Sequence, residues 1–279
     1  MQICVRAHDL GVKGTERIIS GLCDAGADGA QLVCYKSFED IGKAPAGITE
    51  KQAMEIGEAF KRADLSLQLI GAYFNPVHSD GREVENGIGI FRDYLRISSC
   101  LGCNVVGSET GSYNDEPWIY HPQNRTREAL ERVVEVFRSL CDYASGYDAA
   151  VGIEGASGHV CYDVETLDIA TQLIGRENLK IIFDLYNFMD AENYRDYPDM
   201  LERGLTAFAG RIHCFHIKDC TISEDGLKQC AVGQGDLDFD RIIPMIKRYD
   251  ENAVLILEGT KKGDIKKSIE FLREKWQKA

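Results

Sequence analysis

The chain has 279 residues, of which 44% are hydrophobic and 28% are charged, a composition typical of a folded globular protein. Its formal net charge of −13 at pH 7 repels phosphate backbones and anionic surfaces, so we expect neither nucleic acid nor a membrane as a partner. The sequence contains no run of about 18 apolar residues and lacks the pattern of a signal peptide, which predicts a cytoplasmic protein.

Eight short apolar segments recur along the chain and are predicted to be strands. They cover residues 3–7, 29–35, 66–72, 104–108, 150–154, 180–184, 211–217 and 253–258. Each is rich in Val, Ile, Leu or Cys without strict alternation of apolar and polar residues. This pattern is typical of parallel strands that are buried on both faces.

The segments between the predicted strands carry apolar residues at helical spacing. The predicted helices cover residues 16–25, 49–62, 84–100, 126–144, 164–173, 197–208, 239–248 and 264–276, with Thr49 as the N-cap of the second. Strands that alternate with helices indicate βαβ units, and eight of each predict a single (β/α)₈ TIM barrel over residues 1–279. An open doubly wound sheet would need a G-x-G-x-x-G turn after the first strand, and residues 8–14 do not provide one.

Polar side chains stand at the ends of the last four predicted strands. The fifth ends at Glu154, the sixth at Asp184 and the eighth at Glu258, and the seventh carries His216 near its end. Catalytic groups of such barrels lie at the C-terminal ends of the strands. Ionised carboxylates at the edge of an apolar core are costly unless they are paired or bind a cation. We therefore predict one divalent metal ion; three carboxylates and one imidazole suit Mn²⁺, Mg²⁺, Co²⁺ or Fe²⁺, and also Zn²⁺.

The seventh predicted strand contains two histidines, and side chains on a strand alternate between its two faces. His216 would share a face with Cys214 and Ile212, whereas His213 would point the other way. We choose His216 as the metal ligand because it is closer to the end of the strand. His213 is predicted to pack against a helix.

Six segments together form a recognisable pattern. They are residues 73–76 after strand three, 151–155 in strand five, 183–187 after strand six, 215–219 in strand seven, the glycine-rich residues 232–239, and 257–259 in strand eight. This pattern resembles the xylose isomerase-like TIM barrel superfamily, whose members are often described as sugar phosphate isomerases/epimerases. The resemblance extends over nearly the whole chain, and its motifs are specific for the superfamily rather than for one substrate.

The resemblance implies a single metal ion, commonly Mn²⁺, Mg²⁺ or Co²⁺, held by Glu154, Asp184, His216 and Glu258. In the ketose epimerases of the family, the two glutamates also carry protons to and from the substrate. Those enzymes often have a substrate-contacting histidine three residues after the aspartate, where this chain has Asn187. Asn187 can form hydrogen bonds but cannot titrate near neutral pH, which weakens the match to these epimerases.

The predicted function is a metal-dependent isomerase or epimerase that transfers a proton through an enediolate of a small sugar, polyol or sugar phosphate. Glu154 and Glu258 are predicted to move the proton, and Lys218 to donate to a substrate oxygen unless it is a surface lysine paired with Asp219. Lys218-Asp219 resembles the inosose dehydratase branch, so a dehydratase on the same metal site is an alternative. An endonuclease IV-like hydrolase is disfavoured because such enzymes use a three-metal site with many histidines. This chain is acidic and has only six histidines, most of them away from the strand ends. A non-catalytic binder is disfavoured by the carboxylate-rich site.

Four further residues are predicted to contact the substrate. His8 ends the first strand beside Arg6, Glu109 ends the fourth, Asn187 follows the sixth, and Trp118 lies in the segment before the predicted helix 126–144. Glu109 could hydrogen-bond a sugar hydroxyl, and Trp118 could pack on the CH face of a sugar.

Other features leave the substrate open. Tyr113 and Phe188 are candidates for a lid over the barrel mouth, together with Trp118. Lys261 and Lys262 precede the last helix, where barrels often bind phosphate, but a solvated lysine pair is the alternative. We expect a small-molecule substrate and a homo-oligomer.

Overall fold

The computed structural model describes residues 1–44, 47–223 and 226–279. Its strands are β1 (Gln2–Arg6), β2 (Gly29–Leu32), β3 (Ser66–Gly71), β4 (Val105–Glu109), β5 (Ala150–Glu154), β6 (Leu179–Asp184), β7 (Ile212–Ile217), β8 (Asp219–Ser223), β9 (Gly226–Cys230) and β10 (Val254–Leu257). Strands β1 to β7 and β10 form a closed parallel barrel, in chain order, which closes between β10 and β1. Strands β8 and β9 form a separate antiparallel pair. The predicted (β/α)₈ barrel is confirmed.

The helices surround this barrel. They are α1 (Thr15–Ala25), α2 (Cys34–Ser37), α3 (Glu50–Arg62), α4 (Gly81–Leu101), α5 (Arg127–Ala144), α6 (Val164–Ile174), α7 (Tyr197–Ala207), α8 (Phe239–Tyr249) and α9 (Ile265–Lys278). Thr49 caps α3 as predicted, because its side chain accepts from the backbone N–H of Gln52 in a capping box. The second predicted strand was too long, since residues 34–37 turn into α2. No helix in the described ranges is long and apolar enough to cross a membrane.

The inside of the barrel is filled by one small apolar cluster. Its buried members are Cys4, Leu69, Val105, Ala150, Ile182, Cys214 and Ile256. The Ile182 side chain reaches across the interior to Gly107, where an added Cβ would lie 2.4 Å from its Cδ1 atom. Since side chains alternate along a strand, the residues two positions after this cluster also point inward, one layer nearer the C-terminal end. The barrel therefore places its strand-end side chains on an apolar floor.

An extra residue interrupts the pairing of β6 with β7. Ile181 pairs with Ile212, but Ile182 pairs with Cys214, which leaves His213 without a partner on β6. Such a bulge shifts the register of one strand against its neighbour by one residue. As a result, the residues of β7 that precede the bulge point to the opposite face of the sheet from the one that strict alternation predicts.

The bulge overturns the prediction for His213. Its Nε2 atom lies 2.6 Å from the carbonyl oxygen of Gln68 on β3, the strand opposite β7 in the barrel, so the ring contacts a strand rather than a helix. Ile212, predicted to share the inner face with Cys214, packs instead against the outer core. Both errors arise because strict alternation was assumed through the bulge.

Candidate metal centre and cleft

Four strand-end side chains meet above the apolar floor. Glu154 ends β5, Asp184 ends β6, His216 lies in β7 and Glu258 follows β10, and one ligand atom from each lies within 4.8 Å of the others. The bulge in β7 contributes to this convergence, because it brings His216 directly opposite Asp184. Glu154, Asp184 and His216 are almost completely buried. The structure thus brings together the four residues predicted from the strand ends.

The imidazole of His216 faces the three carboxylates through a single nitrogen. Its Nδ1 atom lies 2.8 Å from Glu258 Oε2, 3.1 Å from Glu154 Oε1 and 3.9 Å from Asp184 Oδ2. Nδ1 is therefore the atom that could serve as a metal ligand.

The other ring nitrogen of His216 is held by a buried amide. His216 Nε2 lies 3.0 Å from Gln31 Oε1, and Gln31 Nε2 donates to the hydroxyl of Tyr73 at 2.7 Å. With its amide nitrogen bound to Tyr73, Gln31 presents only an acceptor to His216. Nε2 then carries a proton in every state of the ring. Nδ1 is the nitrogen that can lose its proton to a bound metal ion, whereas in the metal-free protein it donates to the carboxylates. Sequence reasoning missed Gln31, although a glutamine inside an apolar strand was a signal for it, and it included Tyr73 only in the segment 73–76 without predicting this contact.

Charge interactions dominate the titration of this cluster. Burial by itself lowers the pKa of His216, but the negative charges of Glu154 and Glu258 outweigh it and raise the pKa to about 10. Burial raises the pKa of Glu154, with His216 acting in the opposite direction. Burial would also raise the pKa of Glu258, yet the positive charges of Lys218 and His216 hold it well below its usual range.

Lys218 is buried within the cluster rather than exposed. Its Nζ atom lies 2.8 Å from Asp184 Oδ2 and 3.3 Å from Glu258 Oε1, and it donates to Asn187 Oδ1 at 2.8 Å. The alternative of a surface lysine paired with Asp219 is therefore wrong. The ammonium group supplies part of the positive charge that these carboxylates require.

Asp219 instead shapes the glycine-rich loop. Its carboxylate accepts from the backbone N–H groups of Cys220 at 2.8 Å and of Gly233 and Gly235 at 2.9 Å. A Cβ at Gly235 would lie 2.1 Å from Asp219 Oδ1, so no larger residue fits there. Asp219 therefore stabilises the loop that follows the β8–β9 pair.

Asn187 joins two of the acidic side chains. Its Nδ2 atom donates to Glu154 Oε1 at 2.8 Å, and its backbone N–H donates to Asp184 Oδ1 at 3.1 Å. It lies three residues after Asp184, where the family resemblance implied a histidine in many ketose epimerases. Here it orients carboxylates and the Lys218 ammonium group instead of titrating.

Arg6 and His8, at the end of β1, behave differently from each other. Arg6 Nη1 lies 2.6 Å from Glu258 Oε1, and its Nε and Nη2 atoms each lie 3.0 Å from Asp9. His8 lies in a short 3-10 helix, and burial together with the charge of Arg6 lowers its pKa to about 4. His8 is not among the described residues that line the cleft beside the cluster.

These side chains fit a divalent cation. Glu154 Oε2 is buried and has no hydrogen-bond partner among the described residues, although its neighbour Oε1 has two. A buried carboxylate oxygen without a partner is unfavourable, and a bound cation would remove that cost. Glu154, Asp184, His216 and Glu258 could hold one metal ion, and their oxygen and nitrogen ligands suit several divalent metals.

A cleft of about 860 Å³ lies beside this centre, and three of the predicted substrate residues line it: Glu109, Asn187 and Trp118. Glu109 is paired in register with Glu154, so its carboxyl group stands next to the centre. Burial and repulsion from Glu154 and Glu258 raise the pKa of Glu109 to about 8. Trp118 forms part of the cleft wall, where its ring makes an edge contact with His159 at 5.8 Å.

Phe188 and Tyr113, two of the three residues predicted to form a lid, pack against the core instead. Phe188 is 1% exposed and packs against Phe183 with ring centroids 5.9 Å apart, so it belongs to the core. Tyr113 also packs against the core. Lys261 and Lys262 are exposed and do not line the cleft, as expected for a solvated pair.

The fold and the strand-end cluster agree with a family assignment. Residues 22–275 match the profile of the xylose isomerase-like TIM barrel family, so this chain belongs to that family. No curated protein sequence matches the chain.

Solved structures of this fold resemble the chain over nearly its full length. The IOLI protein with a binding zinc atom has a TM-score of 0.76 and 16% identity, covering 100% of this chain and 99% of its own. A D-tagatose 3-epimerase-like protein has a TM-score of 0.75 and 19% identity, covering 99% and 97%. The probable 3-DHS dehydratase AsbF from Bacillus anthracis has a TM-score of 0.75 and 15% identity, covering 98% and 99%. At such identities the similarity shows the fold alone.

Proposed function

We propose that this protein is a divalent-metal-dependent isomerase or epimerase that transfers a proton next to the carbonyl of a ketose-like sugar. One observation carries the proposal: Glu154, Asp184, His216 and Glu258 offer ligand atoms within 4.8 Å of one another beside a cleft of sugar-binding size. A bound metal would polarise the carbonyl and stabilise the negative charge of an enediolate.

The protein's own side chains perform the proton transfer. Glu154 offers one ligand atom to the metal, and its other carboxylate oxygen can take a proton from the substrate carbon. Glu258 stands across the cluster, with its carboxylate held in place by Arg6, Lys218 and His216. Because its lowered pKa leaves it ionised, the proton that it delivers to the substrate carbon reaches it from the Lys218 ammonium group, whose Nζ atom lies 3.3 Å from Glu258 Oε1. Lys218 donates to the substrate oxygen on which negative charge develops.

The charges of the cleft favour an unphosphorylated substrate. Its acidic lining side chains are Glu109, Asp190 and Glu192, and the basic side chain of Arg125 lines it as well. Asp190 and Glu192 repel a phosphate, and the Arg125 guanidinium already donates to two backbone carbonyl groups. We therefore propose a neutral sugar or polyol, with Asn187 and Glu109 bonding to its hydroxyl groups.

Glu109 supports one alternative reaction, the removal of water. Its pKa, raised to about 8, keeps a proton on the carboxyl group at neutral pH. A protonated carboxyl beside the proton-abstracting glutamates could act as a general acid toward a departing hydroxyl group. A dehydratase would thus share the first step with the epimerase, and analysis of the products separates the two.

The test measures bound metal and solvent deuterium uptake by ketoses and inososes. Wild-type protein should bind about one equivalent of Mn²⁺, Co²⁺ or Zn²⁺ and exchange a carbon-bound proton. Glu154→Gln should lower the exchange rate by about 10³-fold, whereas Glu135→Gln, an exposed carboxylate on α5, should leave it unchanged. If no metal binds under any loading condition, the proposed function is wrong.

A further inference from the structure

The cleft has two chemically different ends. Its inner end contains Glu109 and Asn187, next to the metal-ligand cluster, whereas its outer end is lined by Ile119, Tyr120 and Leu227. We call these last three residues the apolar rim. Ile119 and Tyr120 are each 56% exposed, more than any other large hydrophobic side chain in the described ranges. Exposed apolar side chains that line a cleft continuous with a polar centre indicate an amphipathic ligand.

The rim is held in a fixed position rather than left loose. The side-chain amide of Asn114 donates to the carbonyl oxygens of Ile119 at 3.3 Å and Tyr120 at 2.6 Å. Ser112 Oγ donates to the same carbonyl of Ile119. Because the backbone is fixed by these bonds, a ligand would not need to order the loop before it covers the two side chains.

Arg125 ties the rim to the neighbouring loop. Its guanidinium group lies 5.3 Å from the ring of Tyr120 and 3.4 Å from that of Tyr162. It also donates to the carbonyl oxygens of Ser157 at 2.9 Å and His159 at 3.0 Å. These contacts join the two loops that form one wall of the cleft, and Leu227 on β9 lines the cleft with them.

These observations limit the ligands that can fill the whole cleft. A free sugar would satisfy Asn187 and Glu109 but leave the rim exposed to water. A sugar phosphate would bring a dianion close to Asp190 and Glu192, which also line the cleft. A sugar attached to an apolar group places hydroxyl groups at the inner end and apolar surface on the rim.

We propose that the apolar rim is a subsite for an apolar aglycone, so that the substrate is a keto-glycoside, whose carbonyl group is on a ring carbon other than the anomeric carbon, rather than a free sugar. This inference rests on the proposed function for the chemistry at the sugar ring. It extends that function by naming the substrate class and the residues that select it.

The test compares two probes that differ only in the aglycone. Binding of 4-nitrophenyl β-D-glucopyranoside and methyl β-D-glucopyranoside to the Mn²⁺-loaded full-length protein is measured by calorimetry. The nitrophenyl glucoside should bind at least about tenfold more tightly. The variant Ile119→Ser/Tyr120→Ser should reduce this ratio to about one, while Ile169→Ser/Leu173→Ser, which changes two similarly exposed residues on α6, should preserve it.

Several outcomes would overturn the inference. Equal affinities, failure of both glucosides to bind, or a preference retained in the rim variant would each exclude the aglycone subsite. A change in sedimenting mass of the rim variant would assign the rim to contact between copies of the chain. Metal binding tests the proposed function separately. Absence of metal binding with an intact aryl preference would remove the reaction and keep the subsite, whereas metal binding and deuterium uptake without an aryl preference would remove only the subsite.

Discussion

Two histidines on β7 stand three residues apart and show what each end of the barrel does. His216 faces three carboxylates at the C-terminal end, and their charges raise its pKa to about 10 despite burial. His213 lies at the bulge, bonded to the Gln68 carbonyl oxygen, and burial lowers its pKa. The same residue type on the same strand is thus driven in opposite directions by its surroundings.

The comparison separates the two roles of a barrel. Around His213 the partner is a neutral backbone group, which satisfies one ring nitrogen and supports packing. Around His216 the partners are charged groups that cannot all be satisfied by one another, since Glu154 Oε2 remains without a partner among the described residues. The C-terminal end of the barrel thus holds charged groups that lack full compensation, whereas the polar group inside the barrel has a hydrogen-bond partner. This difference indicates that the functional site lies at the C-terminal end.

The largest expected effect comes from replacing each of the two histidines separately with alanine. His216→Ala removes a ligand atom and should lower Mn²⁺ affinity by at least about 100-fold, because even the loss of an outer-sphere partner costs ten- to 100-fold. His213→Ala should leave the affinity nearly unchanged and destabilise the fold by about 1–3 kcal/mol. Equilibrium dialysis with Mn²⁺ and urea unfolding measure the two effects. Similar metal loss in both variants would show that the two environments are not functionally distinct.

Replacement of Lys218 should give the next largest effect. Lys218→Met removes a buried cation from Asp184 and Glu258, so the metal-free protein should lose about 3 kcal/mol of unfolding free energy. A metal ion competes with this ammonium group for the same carboxylates. Metal affinity should therefore rise about tenfold or more while deuterium exchange falls. A lower metal affinity in Lys218→Met would contradict the competition.

The sequence was sufficient for the barrel and for the four strand-end residues. Strand and helix periodicities are local, and the C-terminal ends of parallel strands must converge whatever the loops do. Glu154, Asp184 and Glu258 could therefore be grouped before any coordinates were known. Asn187 and Glu109 were also placed near the substrate by their positions directly after strands.

Features that depend on distant pairing could not be predicted in this way. The bulge at His213 is a property of two strands together, and no local pattern marked it. The contact of Arg6 with Glu258 spans the closure of the barrel, from the first strand to the last. The burial of Lys218 depends on three loops meeting, whereas a lysine in sequence is indistinguishable from a surface residue. The β8–β9 pair was not foreseen either.

The bond from Gln31 to His216 should give a smaller effect than loss of a ligand. Gln31→Leu leaves His216 Nε2 without its acceptor and frees the ring to change tautomer, so Mn²⁺ affinity should fall by about ten- to 100-fold. Tyr73→Phe only loosens Gln31 and should cost a few-fold. The absorption spectrum of Co²⁺-loaded protein should shift in Gln31→Leu, which a purely structural defect would not cause. An unchanged spectrum and affinity would mean that Gln31 does not orient the ligand.

The smallest effect concerns the pH dependence of the metal-free protein. The pKa of His213 is lowered on folding, so as the pH falls the unfolded chain takes up the proton at a higher pH than the folded protein does. The contribution of neutral His213 to stability is therefore present above about pH 6.5 and is lost as the pH falls below that value. The raised pKa of His216 acts in the opposite sense: its contribution is present below about pH 6.5 and lost as the pH rises through about 10.

His213→Gln isolates the first of these contributions. Wild type and variant should differ by about 1 kcal/mol at pH 8 through the lost hydrogen bond, and the difference should shrink as the pH falls through 6 and 5. His8 and His159, whose pKa values are each lowered to about 4, are present in both proteins and cancel in this difference. Urea unfolding in the presence of a chelator supplies the free energies. A difference that stays constant with pH would mean that His213 does not remain neutral in the folded barrel, and the contrast with His216 would then lie in their partners alone.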